Sequence, residues 1–215
     1  MANRQGRKRL YSPSAIGKIL KIARERACQE EHRTKRYMAE ALGITVERLT
    51  RMENGTSHIP FEIAVEWCKI VEDDTALAKI KHIYLNELPP TDPRLLQSVA
   101  DQLVNFIRQA EEAIKAAQEL LNISTSQRPG KKMDDSTLKD VYANAEEILD
   151  TYQASQCVLK AMNEQWGMDV DKVKQSWIME AIAEGVVIPS VTEYENMKKD
   201  EFFRRRMWEM QSKSY

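Results

Sequence analysis

Residues 34–55, TKRYMAEALGITVERLTRMENG, read as two short helices joined by a tight turn. Thr34 offers a hydroxyl to cap the first helix. Met38, Ala39 and Leu42 then recur at three- and four-residue spacing and give that helix one apolar face. Gly43 stands where the chain must leave the helix and a Cβ would obstruct it. Ile44 anchors the turn, and Thr45 caps the second helix. Leu49 and Met52 form the inner face of that helix, and Gly55 ends it. Val46, Glu47, Arg48, Thr50 and Arg51 fall on the outer face, a mixed polar surface on a rigid rod. A helix fits the major groove of B-DNA, where such side chains reach base edges.

The flanking residues extend the pattern. Ile16-Gly17 opens a helix with Ile16, Ile19, Leu20 and Ala23 on one face and Arg24 near its end, and Ser12 or Ser14 is placed to cap it. Pro60 opens a fourth helix whose inner face is Ile63, Ala64, Trp67, Cys68 and Val71. A fifth is expected over 75–88, with Leu77, Ile80, Ile83 and Tyr84 inward and His82 on the polar surface. From about Ile16 to Val71 the chain resembles the Xre/Cro-type helix-turn-helix family, which has the lambda-repressor-like fold. The match rests on M-A-E-A-L-G-I-T and on R-M-E-N-G at the close of the second helix. Two departures stand out: Lys35 replaces the family's usual glutamine after the first cap, and the connection at 27–33, ACQEEHR, is longer than usual.

The resemblance implies a bacterial or phage DNA-binding regulator, a repressor rather than an activator. It implies a partly buried ion pair, Arg24 with Glu53, tying the first helix to the recognition helix. By the family's positions, Thr45, Val46, Glu47 and Arg51 face bases. Arginine pairs with guanine in bidentate fashion, glutamate accepts from a cytosine amino group, and valine packs on a thymine methyl. Thr34, Lys35, Arg48, Asn54 and Thr56 are expected on phosphates, which fix orientation rather than sequence.

Charge agrees with such a partner. The net charge is −1, but residues 1–70 hold 14 Lys/Arg against 8 Asp/Glu while 71–215 hold 18 against 25, a basic head on an acidic body. Residues 1–13 form a basic arm whose Arg4, Arg7, Lys8 and Arg9 can follow phosphates or enter the minor groove. The head is expected over 14–88, with Pro89-Pro90 as the boundary.

Residues 91–215 are expected to be a helical dimerisation or regulatory domain, making the whole chain all-α: a five-helix head and a bundle of long helices. Asp92-Pro93 is a start signal. Leu96, Val99, Leu103, Phe106 and Ala110 follow in a heptad seam that runs on to Leu120, and Ile107, Ile114 and Leu121 widen it on one side. A stripe this wide suits a bundle or a broad homodimer interface. A polar loop at 122–132, a second long helix over about 136–166, and a shorter one capped by Asp169 or Asp171 follow. Thr192 is expected to cap a last helix with Phe202, Phe203, Met207 and Trp208 beside Arg204, Arg205 and Arg206.

Three cysteines without a CxxC pair fit a reducing cytosol, and no apolar run approaches the length of a membrane span. His32, His58 and His82 lack metal-ligand spacing, and no glycine loop cradles phosphate. The reading is a cytoplasmic, non-enzymatic binder of palindromic double-stranded DNA, with no cofactor, no metal and no membrane. Two other readings stand beside it: a protein-interaction module of antitoxin or antirepressor type that works through its helical body, and a DNA-processing accessory enzyme.

Overall fold

The computed structural model describes residues 10–96, 98–128 and 132–212. The chain is all-helical, with nine α-helices and three short 3-10 turns among the described residues. It divides into two compact units, Met1–Leu95 and Leu96–Tyr215.

The first unit holds α1 (Ile16–Glu25), α2 (Lys35–Ala41), α3 (Val46–Glu53), α4 (Phe61–Ile70) and α5 (Asp74–Leu85). Their apolar faces meet in one core around the fully buried Trp67, Leu20, Met38, Leu49, Met52 and Ile80. Ser12 caps a 3-10 turn, Pro13–Ala15, and α1 continues from it without a side-chain cap of its own. Gly17 lies against the end of α3: a Cβ there would stand 2.3 Å from the Met52 carbonyl oxygen, so the two helices approach as closely as they do only over a glycine. Asp73 accepts the Ala76 amide at 2.9 Å to cap α5, and Arg26 donates to the same carboxylate at 2.6 Å. One aspartate thus starts α5 and holds the end of α1. Tyr84 packs its ring at a tilt against Phe61 and donates its hydroxyl proton to the Ile59 carbonyl, fixing α5 across the start of α4. His82, expected on open surface, is half-buried instead: it meets Tyr11 edge-on and bonds the Glu87 carbonyl at 2.6 Å.

The second unit is built on α6 (Val99–Ser126) and α7 (Asp135–Trp166), with α8 (Val170–Ala183) and α9 (Val191–Ser212) following. The Asp92-Pro93 signal starts a 3-10 turn, Pro93–Leu96, rather than the long helix. Arg94 closes on Asp92 through its amide at 2.9 Å and its guanidinium at 2.5 Å, and α6 begins later with Ser98 accepting the Asp101 amide at 3.1 Å. Gln165 of α7 spans the break: it donates to the Leu96 carbonyl at 3.1 Å and accepts the Val99 amide at 3.3 Å. Together with Thr151 donating to the Gln109 carbonyl at 2.9 Å, these bonds fix α6 and α7 as an antiparallel hairpin. Asp134 caps α7 and Asp169 caps α8. Ser190, not Thr192, caps α9, accepting the Glu193 amide at 3.2 Å. Every described side chain of α9 is exposed. Among the described residues no helix is long and apolar enough to cross a membrane.

Candidate nucleic-acid interface

Two caps and two turns hold α2 and α3 in place. Thr34 Oγ1 accepts the Tyr37 amide at 3.2 Å and donates to the Glu31 carbonyl at 2.9 Å. Thr45 Oγ1 accepts the Arg48 amide at 3.2 Å. Between them Gly43 takes φ +63°, a left-handed conformation that lets the Ile44 amide reach back to the Ala39 carbonyl at 2.9 Å. The same pattern closes α3, where the Thr56 amide bonds the Arg51 carbonyl at 2.9 Å. Each cap satisfies a backbone group that a short helix would otherwise leave bare, which is how helices of seven and eight residues persist here.

Leu49 and Met52 anchor α3 from beneath, and Val46, Glu47, Arg48 and Arg51 are exposed along its outer face. Glu47, Arg48 and Arg51 make no ion pair among the described residues, so their charges stand open to a ligand. Val46 keeps 40% of its surface exposed, which leaves an apolar side chain on this face free to pack on a base methyl.

Arg24 and Glu53 form the ion pair that ties α1 to α3, with Nε to Oε1 at 2.7 Å and both side chains nearly excluded from solvent. Arg24 also donates to the Arg33 carbonyl. Arg33 in turn donates to the Ala27 carbonyl at 2.7 Å, and His32 stacks on Tyr37 at 4.6 Å. These interactions absorb the long connection between α1 and α2: it folds into a 3-10 turn, Glu31–Arg33, pinned at both ends. Lys35 turns inward. Its ammonium lies 3.3 Å from Glu53 Oε2, an ion pair without hydrogen-bond alignment, and donates to Thr50 Oγ1 at 3.3 Å. Glu53 therefore sits between two cations; Lys35 keeps 38% of its side chain exposed while so engaged, and its neighbour Arg36 is exposed and has no ion pair among the described residues. The amino-acid sequence does not single out Arg36. Its only signal is adjacency to Lys35, and which of two neighbouring cations turns inward depends on where Glu53 arrives from α3.

Thr45, Val46, Glu47 and Arg51 thus share one outer surface, with Asn54 and Thr56 exposed at its far end and Thr34 at the start of α2. Thr56 Oγ1 is engaged with the Arg51 carbonyl at 3.1 Å. Arg4, Arg7, Lys8 and Arg9 lie outside the described residues. In the second unit the expected dimer seam divides. Leu96 and Val99 are buried, Leu103, Phe106 and Ala110 are half-buried in the hairpin, and Ile107, Ile114 and Leu121 are exposed.

The first unit presents a short, rigidly capped helix with open charges on one side, locked to its neighbours on the other, and this arrangement defines a DNA-binding helix-turn-helix domain. The family model described as Helix-turn-helix matches residues 20–71, and that segment is a helix-turn-helix of the Xre, lambda-repressor-like kind. Comparison with curated proteins gives no match, and comparison with solved structures gives none either.

Proposed function

We propose that the protein is a sequence-specific transcriptional regulator, a repressor that binds double-stranded DNA as a homodimer and lays α3 in the major groove. The observation that supports this best is the outer face of α3, where Val46, Glu47 and Arg51 stand exposed, the two charged groups without an ion pair among the described residues, on a helix whose inner face is fully buried. Arg51 bonds a guanine edge, Glu47 accepts from cytosine, and Val46 covers a thymine methyl. Thr45 approaches the bases from the helix start. Arg36, Arg48, Asn54 and the Thr34 and Thr56 ends of the motif meet phosphates, with Lys35 serving the ion-pair lock behind them. The arm carrying Arg4, Arg7, Lys8 and Arg9 adds backbone or minor-groove interactions. The region from 91 on pairs two heads so that they reach two half-sites.

Selecting bound duplexes from random DNA with full-length protein tests this reading. It calls for an enriched palindrome with half-sites about one helical turn apart. Recovery of unenriched DNA, with affinity that varies with salt alone, would reduce the head to a non-specific polyanion binder.

A further inference from the structure

A two-helix hairpin buries only the sides that face each other. The register set by Thr151 on Gln109 and Gln165 on Val99 places Leu103, Phe106 and Ala110 on the side of α6 facing α7. The residues one position further along form a second stripe at the same three–four spacing. On α6 these are Val104, Ile107, Ile114 and Leu121; on α7 they are Leu138, Tyr142, Leu149, Tyr152 and Leu159. Their exposures run from 36% for Leu138 to 68% for Val104.

One position is a rotation of about 100° around a helix. Seen from one end, antiparallel helices rotate in opposite senses, so both stripes turn to the same side of the hairpin. Nine large apolar side chains, each presenting roughly 100 Å², make a face on the order of 900 Å², above the ~300–600 Å² of the largest patch on an ordinary monomer and close to the ~800 Å² per partner of a stable interface.

We propose that this face is covered by the same face of a second copy, hairpin on hairpin, in a four-helix bundle; the proposal rests on the dimeric reading above and names its surface. The length and area suit a self-complementary, two-fold interface. Charge supports the same occupant. Glu111 interrupts the α6 stripe near its middle, with Arg108 and Lys115 one turn to either side. Two-fold packing about that point brings each copy's glutamate to the other's basic side chains, and a polar group inside an apolar seam sets register at some cost in stability. The residues that join the two copies are then Ile107, Ile114 and Leu121 with the α7 stripe, while Leu103 and Phe106 hold the hairpin together within one copy.

Sedimentation of the full-length protein without DNA tests this. A dimer mass is expected at micromolar concentration. Ile107→Glu/Ile114→Glu on α6 and Tyr142→Glu/Tyr152→Glu on α7 should each give a monomer with unchanged helicity, because these side chains are already exposed in one copy. Should a double variant lose helicity, Glu111→Cys in a Cys28→Ser background replaces it: a bis-maleimide should link two copies through the middle of the seam. Wild-type protein that stays monomeric, a dimer that survives both double variants, or a Glu111→Cys protein that yields no linked dimer overturns the proposal, the second outcome moving the interface to another surface such as α8 or α9. A monomer that still selects a DNA sequence would leave the DNA-binding reading standing, and a dimer that selects none would leave this surface standing.

Discussion

Glu53 meets two cations, Arg24 and Lys35, and its side chain is almost excluded from solvent. Removing one partner of a buried pair strands the other, at a cost of about 3–5 kcal/mol. Glu53→Ala leaves the buried Arg24 with only the half-exposed Glu25 carboxylate, 3.6 Å away, whereas Glu47→Ala removes only an exposed group. Chemical denaturation should show Glu53→Ala as the larger loss by several-fold; equal small losses would mean that water screens the pair. Gly17 is the second sensitive position. Gly17→Ala drives a methyl into the Met52 carbonyl, and forced overpacking costs about 1–3 kcal/mol. A melting temperature unchanged from wild type would show that α1 can retreat from α3 without loss. The ion pair was legible in the sequence only through family resemblance, since 29 positions separate its members. The inward turn of Lys35 was not legible at all.

Caps and glycines were the most readable elements, because each acts over three or four residues. Thr34, Gly43, Thr45 and Gly55 mark the bounds of α2 and α3 as the sequence suggests. The start of α6 misleads for the opposite reason: Asp92-Pro93 is a sound local signal, but its aspartate is taken up by Arg94, and Gln165 from the far end of the hairpin stabilises the break that follows. Cap chemistry also gives α7 and α8 a pH dependence. The Thr137 amide holds the Asp134 carboxyl below the usual carboxylate range, and the Lys172 amide does the same for Asp169. A depressed pKa in the folded state means that the stabilisation is complete above the ordinary aspartate range and is lost as pH falls through the depressed value. Hydrogen exchange between about pH 5 and pH 2 should therefore show the first turns of α7 and α8 opening on acidification. Asp134→Asn should remove that dependence for α7 alone, and an unchanged profile in the variant would assign the opening to other groups.

The two units differ in how much core they own. The first closes on its own cluster around Trp67, while the second leaves the outer stripes of its hairpin and every described side chain of α9 exposed. A chain ending at Pro89 should accordingly stay folded and cooperative in thermal melts, yet bind a palindromic site about 10²–10⁴-fold more weakly than full-length protein, because pairing two heads makes the second binding event intramolecular. Equal affinity for the two would remove the second unit from DNA binding. The heptad spacing of α6 was visible in the sequence as one wide stripe. Only the position of α7 separates its inner half from its outer half, and periodicity along a single helix does not carry that information.

Sequence preference is where the assignment of α3 to the major groove is most exposed. Binding profiles of wild type, Arg51→Ala and Arg36→Ala can be measured side by side over all single-base variants of the selected site. Arg51→Ala should lose about 1–3 kcal/mol on the preferred site and lose discrimination at one base pair per half-site. Arg36→Ala should weaken every sequence alike and flatten the salt slope by about one unit for each phosphate it no longer neutralises. Identical sequence profiles for the two variants, differing from wild type only in overall affinity, would contradict the placement of α3 against the bases.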